Sequence, residues 1–197
     1  MGLFSLEHSR AAYRADFALH AAAMVLLAAL LAWDAPQARW LQALALVLAG
    51  LASWTAIEYA LHRFVLHGLP PFRRWHAAHH ARPTALIYAP TILVAALLAA
   101  LVFLPTLALG GLWRACALTL GVQAGYLAYA VTHHATHHWQ ADNAWLRRRK
   151  RWHALHHRPA ASPACYGVTT GFWDQVFGSG REDRKDRKKA WATGTAP

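Results

Sequence analysis

Apolar residues in this chain gather into four long blocks instead of spreading evenly, and that pattern points to a membrane before any motif is read. Phe17 to Trp33 is almost entirely Ala, Leu, Val and Met between Asp16 and Asp34, near the shortest length that crosses a bilayer as a helix. The run is long for a signal peptide, and Asp34 and Pro36 stand in place of a small-residue cleavage site, so it reads as a span. Further blocks run from Trp40 to about Ala60, from Leu86 to about Leu109 and from Leu112 to Val131. Pro90 and Pro105 are placed to kink or shorten the third, and Gly110-Gly111 is a natural turn into the fourth. Trp33, Trp40, Trp113 and Trp139 fall near span ends, where an indole matches the interface. The pattern predicts an all-α integral membrane protein: a four-span helical bundle with a cytoplasmic, histidine-rich helical cap. It is read as a single membrane domain over 1–197, with a core of about 17–180 and a charged, disordered tail over 181–197.

Charge adds an orientation. The formal net charge is +11; twelve of the twenty basic residues follow Trp145, and Arg63, Arg73, Arg74 and Arg82 share one loop. Such clustering suits an anionic lipid face, and no nucleic-acid partner is expected because no nucleic-acid-binding motif accompanies it. Lys and Arg in short flanks hold loops in the cytoplasm. The loops carrying only Arg39 and Arg114 therefore lie outside, and both termini, with segments 61–85 and 132–197, lie inside. Those two segments hold twelve of the fourteen histidines. Cys116 and Cys165 form no disulfide framework, which agrees with reduced thiols and a cytoplasm-facing site.

The histidines fall into four clusters: His62 and His67 at the inner end of the second span; His76, His79 and His80; His133, His134, His137 and His138; and His153, His156 and His157. Imidazole nitrogen binds zinc, iron, copper and nickel, and i, i+3 or i, i+4 spacing lets a helix present several nitrogens to one ion. His76 lies within reach of both His79 and His80 on a helix, and the fourth cluster repeats that H-x-x-H-H spacing. His62 and His67, five residues apart, differ by about 140° on an α-helix and so point to different sides of a site if the α-helix persists. About ten well-spaced ligands are enough for two ions. His8 and His20 stand outside the clusters and read as ordinary hydrogen-bonded side chains.

At these residues the chain resembles the fatty acid hydroxylase and sterol desaturase superfamily of integral membrane di-metal proteins. The matching segments are His62-Arg63-Phe64 through His67, His76 to His80, Tyr129 to His137, His153 to His157, and the closing Tyr166-Gly167-Val168-Thr169-Thr170-Gly171-Phe172-Trp173-Asp174-Gln175-Val176-Phe177-Gly178. The resemblance implies His62, His67, His76, His79, His80, His133, His137, His153, His156 and His157 as metal ligands. It implies two iron ions, with zinc possible in purified protein, and molecular oxygen as co-substrate. It also implies a membrane lipid as substrate and a separate electron-donor protein of cytochrome b or ferredoxin type. His134 and His138 are extra to this ligand pattern and are candidates for hydrogen bonding or proton delivery.

The expected reaction is hydroxylation of a lipid C–H bond, with a fatty acyl chain as leading substrate. Carotenoid hydroxylation, sterol hydroxylation or desaturation are the alternatives within the superfamily, and a membrane metal carrier or sensor is the non-enzymatic one. Glu58, one turn before His62 and the only carboxylate within the second span, reads as an acceptor of a hydrogen bond from a ligand N–H, since an unpaired charge there is expensive; pairing with Arg63 is the alternative. Asp174 is open to the same role or to that of a local turn or cap.

Overall fold

In the computed structural model, residues 7–158 and 164–180 are described, and among them helices account for nearly everything outside short connections. The expected charged tail lies outside the described residues. Helix α1 (Arg10–Asp34) starts where the Ser9 hydroxyl accepts the Ala12 N–H at 3.2 Å, one of the N–H groups a helix start leaves unsatisfied. Helix α2 (Trp40–Ala60) runs without a break into a π-helical turn, Leu61–Leu66. Helix α3 (Phe72–Ala81) follows the Gly68–Pro71 interruption. The third apolar block forms α4 (Thr91–Leu98), a π-helical turn (Ala99–Phe103) and α5 (Leu104–Gly110). Helix α6 (Leu112–His138) is followed by α7 (Ala144–His156), capped by Asn143 Oδ1 at 2.8 Å from the Leu146 N–H, and by the short α8 (Phe172–Val176).

Four segments, Arg10–Asp34, Gln37–Leu66, Thr91–Gly110 and Leu112–His138, are long and apolar enough to cross a membrane. The first begins at Arg10, before the expected Phe17, because the Ser9 cap lies further upstream. The third begins at Thr91 and not at Leu86, because Pro90 disfavours helical geometry at Ala89 and serves as the N-cap. Pro105 causes no break. It sits in the first turn of α5, after the wide π-helical turn, where its missing N–H interrupts no α-helical ladder.

The residues form two compact units. The first comprises 7–54 and 74–128. Its core gathers Leu31 from α1, Ala43 from α2, and Trp113, Cys116 and Ala117 from α6, with Leu27, Leu30, Val47, Phe103 and Leu120 packed against them. The outer surface is apolar: Leu109 is 91% exposed and Leu41 83%. Polar groups turn inward instead. Buried Asp16 accepts from Thr91 Oγ1 at 2.5 Å, and Gln123 Nε2 donates to His20 Nδ1 at 2.6 Å. An apolar exterior over paired polar groups is the arrangement that a hydrocarbon solvent imposes. His20 is thus a hydrogen-bonded side chain, as its isolation in the sequence suggested.

Glycine sets how closely α2 and α6 approach. A Cβ at Gly50 would collide with the Leu118 carbonyl, and one at Gly121 with the Val47 carbonyl. Without a strong hydrophobic drive between helices in lipid, such backbone proximity supplies the packing energy. Gly121→Val is expected to destabilise the protein by about 1–3 kcal/mol, the usual cost of overpacking. Leu109→Ala on the outer surface should change little. Thermal unfolding of the two variants in one detergent checks this; equal melting temperatures would show that the crossing is not tight.

Candidate metal centre

The second unit comprises residues 55–73, 129–158 and 164–180. It holds seven of the ten expected ligands, on three pieces of helix. His62 and His67 lie on the π-helical turn and its C-cap, where the His67 N–H meets the His62 carbonyl at 3.3 Å. A π turn closes between residues i and i+5, so five residues make about one full turn. The two rings consequently stand on the same side, with centroids 5.4 Å apart. The 140° divergence expected for an α-helix is corrected: the helix persists, but widened. His156 of α7 joins the pair, and ligating nitrogens of His62, His67 and His156 lie within 4.8 Å of one another.

The other four, His133 and His137 of α6 with His153 and His157 of α7, form a second group within the same limit. Helical spacing explains how α7 serves both groups. Residues i and i+4 are about 40° apart around the axis, whereas i+3 and i+4 are about 100° apart. His153 and His157 therefore share one group while His156 turns to the other. H-x-x-H-H thus divides its three histidines between two groups. In the first unit α3 shows the same divergence: His76 and His80 Nε2 atoms are 3.0 Å apart, and the His79 ring centroid lies 5.8 Å and 6.1 Å from theirs.

The contacts within the groups carry the chemistry. His153 Nε2 lies 2.8 Å from His137 Nε2 and 3.0 Å from His157 Nε2, and His67 Nε2 lies 3.1 Å from His156 Nε2. A ring nitrogen has one in-plane hydrogen or one lone pair, so His153 Nε2 cannot serve two such neighbours with two linear hydrogen bonds. Nitrogens on adjacent corners around an ion, each at about 2.1 Å from it, are separated by about 3 Å. The spacing is that of a coordination shell. Burial first, and then the imidazoles of His133, His157, His137 and His156, push the His153 pKa well below its ordinary value and keep it in the neutral form that ligates. An all-imidazole donor set suits zinc, iron, copper or nickel, not magnesium or calcium.

Two tautomers are fixed by the backbone. His62 Nδ1 donates to the Tyr166 carbonyl at 2.5 Å, and His156 Nδ1 donates to the Ala164 carbonyl at 2.9 Å. Each bond leaves Nε2 with its lone pair toward the group. Between these carbonyls, Cys165 is held at φ 58°, a left-handed conformation that a non-glycine residue adopts only under constraint. The constraint comes from two carboxylates. Fully buried Asp174 accepts the Tyr166 N–H at 2.9 Å, the Gly167 N–H at 2.7 Å and the Ser179 hydroxyl at 2.7 Å. Glu58 accepts the Val168 N–H at 2.6 Å, the Thr169 N–H at 3.0 Å and the Thr169 hydroxyl at 2.5 Å. Glu58 thus reaches His62 through the closing segment, by way of the Tyr166 carbonyl. Arg63 instead donates to the Tyr59 hydroxyl and lies 5.7 Å from the Tyr166 ring centroid.

Sequence reasoning missed the carbonyls of Ala164 and Tyr166, since a backbone acceptor leaves no residue-type signature. The nearest signal was Gly167, where a Cβ would press on Asp174 Oδ2 at 3.0 Å. His134 and His138 stand outside both groups, with rings stacked at 4.4 Å.

The fatty acid hydroxylase family model matches residues 47–179, a stretch that includes all ten expected ligand histidines, Glu58 and Asp174. A dihydroceramide fatty acyl 2-hydroxylase of Arabidopsis thaliana is 33% identical over 144 residues, covering 66% of this chain and 58% of that protein. The ceramide very long chain fatty acid hydroxylase scs7 of Schizosaccharomyces pombe is 32% identical over 148 residues, covering 66% of this chain and 40% of its own length. The solved structure of full-length scs7p, in which only the hydroxylase domain is visible, superposes with a TM-score of 0.74 at 27% identity, covering 88% of this chain and 67% of that one. The chain spans about half the length of the curated relatives it matches. The length of the family match, and the containment of both histidine groups within it, establish that the chain belongs to the fatty acid hydroxylase family.

Proposed function

We propose that the chain is an oxygen-dependent hydroxylase acting on a fatty acyl chain of a membrane lipid, at the carbon next to the carboxyl end. The observation that carries this reading is the convergence of seven imidazoles into two groups at the ends of membrane-spanning helices. His62, His67, His76, His79, His80, His133, His137, His153, His156 and His157 hold two ions, iron in the working enzyme. The spacing rule seen on α7 assigns His76 and His80 of α3 to one ion and His79 to the other. Zinc suits the same nitrogens, so zinc in purified protein does not identify the working metal.

When bound, the iron pair supplies dioxygen activation with electrons from a separate cytochrome b-type or ferredoxin-type donor; an acyl C–H bond, O2, two electrons and two protons become an alcohol and water. The remaining work belongs to the chain. Backbone carbonyls hold His62 and His156 in the ligating tautomer, and buried His153 stays neutral. Glu58 and Asp174 are positioning residues that keep the closing segment, and with it those carbonyls, in place. His62 lies in the last turn of the second span, and His133 and His137 near the end of the fourth, so the site reaches a carbon near a lipid's polar end but not its deep tail. The relatives named for 2-hydroxylation of acyl chains support this position over a carotenoid ring. The arginines of 61–85 and 132–197 support a cytoplasmic site with both termini inside.

Orientation is checked by introducing cysteine at Pro70 in a chain with both native cysteines replaced; an impermeant thiol reagent should label it only after the cells are opened. Labelling of intact cells would reverse the topology.

Metal content and turnover should separate three variants. His156→Ala should lower the content from about two ions per chain and abolish turnover, because water replaces a held imidazole poorly. His134→Ala should keep both. Glu58→Gln should retain the metal while turnover falls about ten- to a hundredfold, the usual effect of weakening an outer-shell acceptor. Full turnover with His156→Ala would remove the di-metal reading, and full turnover with Glu58→Gln the positioning role.

Expression under labelled oxygen in a host making both fatty acids and β-carotene identifies the product. Label should appear in 2-hydroxy acyl chains. Label in carotenoid rings would select the other substrate, and readily exchanged metal with no oxygen consumed would select a metal carrier.

A further inference from the structure

Lined by no histidine, an open pocket of about 280 Å³ lies between α7 and the closing segment, and its walls include Trp145, Arg148, Arg149, Thr169, Thr170 and Phe172. Arg149 is the unusual member. It is 5% exposed, it forms no ion pair among the described residues, and its Nη1 is buried with no hydrogen-bond partner there. A guanidinium cannot escape this cost by losing its proton, because its pKa lies too far above neutrality. The side chain passes near Trp152, with Cζ 5.8 Å from the ring centroid, but a ring face does not neutralise a buried charge. Glu58 and Asp174 attract it from a distance, yet their oxygens are already engaged by the closing segment. Burial, and then the like charge of Arg148, work against its cationic form.

We propose that this cavity binds the phosphate group of an anionic membrane phospholipid, with Arg149 and Arg148 neutralising the phosphate. Thr170 stands in the same wall, and its hydroxyl, which accepts the Phe172 N–H at 3.3 Å, keeps its own hydrogen to donate to a phosphate oxygen, whereas the Thr169 hydroxyl is already committed to Glu58. Exposed aromatic rings point to a membrane source and not to free phosphate: Trp145 and Phe172 of the lining are each more than half exposed, and Arg148 beside them is exposed too. Aromatic rings among cations match the headgroup layer of a membrane. The inference does not depend on the reaction proposed above. It does bear on the metal centre, because Thr169 lines the cavity and also holds Glu58.

The test uses the full chain in phosphatidylcholine nanodiscs, titrated with short-chain phosphatidic acid, with inorganic phosphate and with hexaglutamate, and read by calorimetry. Phosphatidic acid should saturate a single site, and Arg149→Gln should weaken it about ten- to a hundredfold, the scale of one lost hydrogen bond to a charged group. Arg148→Gln, at an exposed position, should weaken it severalfold and remains decisive if Arg149→Gln fails to fold. Inorganic phosphate binding as tightly through the same arginines would overturn the lipid source in favour of a soluble phosphate. Hexaglutamate binding as tightly would overturn the phosphate assignment in favour of a protein carboxylate. Phosphatidic acid binding unchanged in both variants would overturn the site.

Discussion

Nitrogen atoms of neighbouring imidazoles stand 2.8–3.1 Å apart within this chain, and most other features serve to hold them there. Lone pairs brought so close repel unless a cation or a shared proton lies between them, and burial removes the water that would otherwise weaken that repulsion. Ordinary side-chain packing cannot impose such an arrangement. It requires rigid helices, fixed ring tautomers and a backbone that does not yield when the histidines are crowded together.

The backbone support is divided between two carboxylates and one strained residue. Asp174 ties down the N–H groups of Tyr166 and Gly167, and Glu58 those of Val168 and Thr169. Four consecutive residues thereby have their N–H groups committed to buried acceptors. That leaves the carbonyls of Ala164 and Tyr166 free to accept from His156 and His62, with Cys165 held at positive φ between them. The short α8 contributes by burying Asp174 completely. A hydrogen bond to a charged acceptor is worth about twice a neutral one, so the segment is better anchored than its irregular conformation suggests.

The first unit solves a different problem under a different solvent. Its outer surface is apolar, and inside it Asp16 pairs with Thr91 and His20 with Gln123, so helix contacts rest on close backbone approach at Gly50 and Gly121 and on small residues such as Ala43, Cys116 and Ala117. Two of its helices, α2 and α6, continue directly into the segments that carry His62, His67, His133 and His137. These four histidines therefore start from the ends of spans, which is the placement the proposed hydroxylation of an acyl carbon beside a carboxyl group requires.

Composition and spacing alone were enough for the helical class, the four spans, the ligand clusters and the family resemblance, because each depends on local periodicity: apolar runs matched to a bilayer, and histidines three or four residues apart on a helix. The pairing of His62 with His67 was not legible. Five-residue spacing separates two rings on an α-helix and unites them on a π-helix, and the choice between them is made by contacts distant in sequence. Nor did H-x-x-H-H reveal that it divides its histidines between two groups, since the direction of a third ring matters only when a partner waits there. Glu58 was visible as a carboxylate within a span and Asp174 as a carboxylate near the chain's closing segment, both with open roles. Their common target, four backbone N–H groups more than a hundred residues from Glu58 and within eight of Asp174, was set by tertiary structure, because a backbone donor looks the same in every sequence until the chain has folded around it.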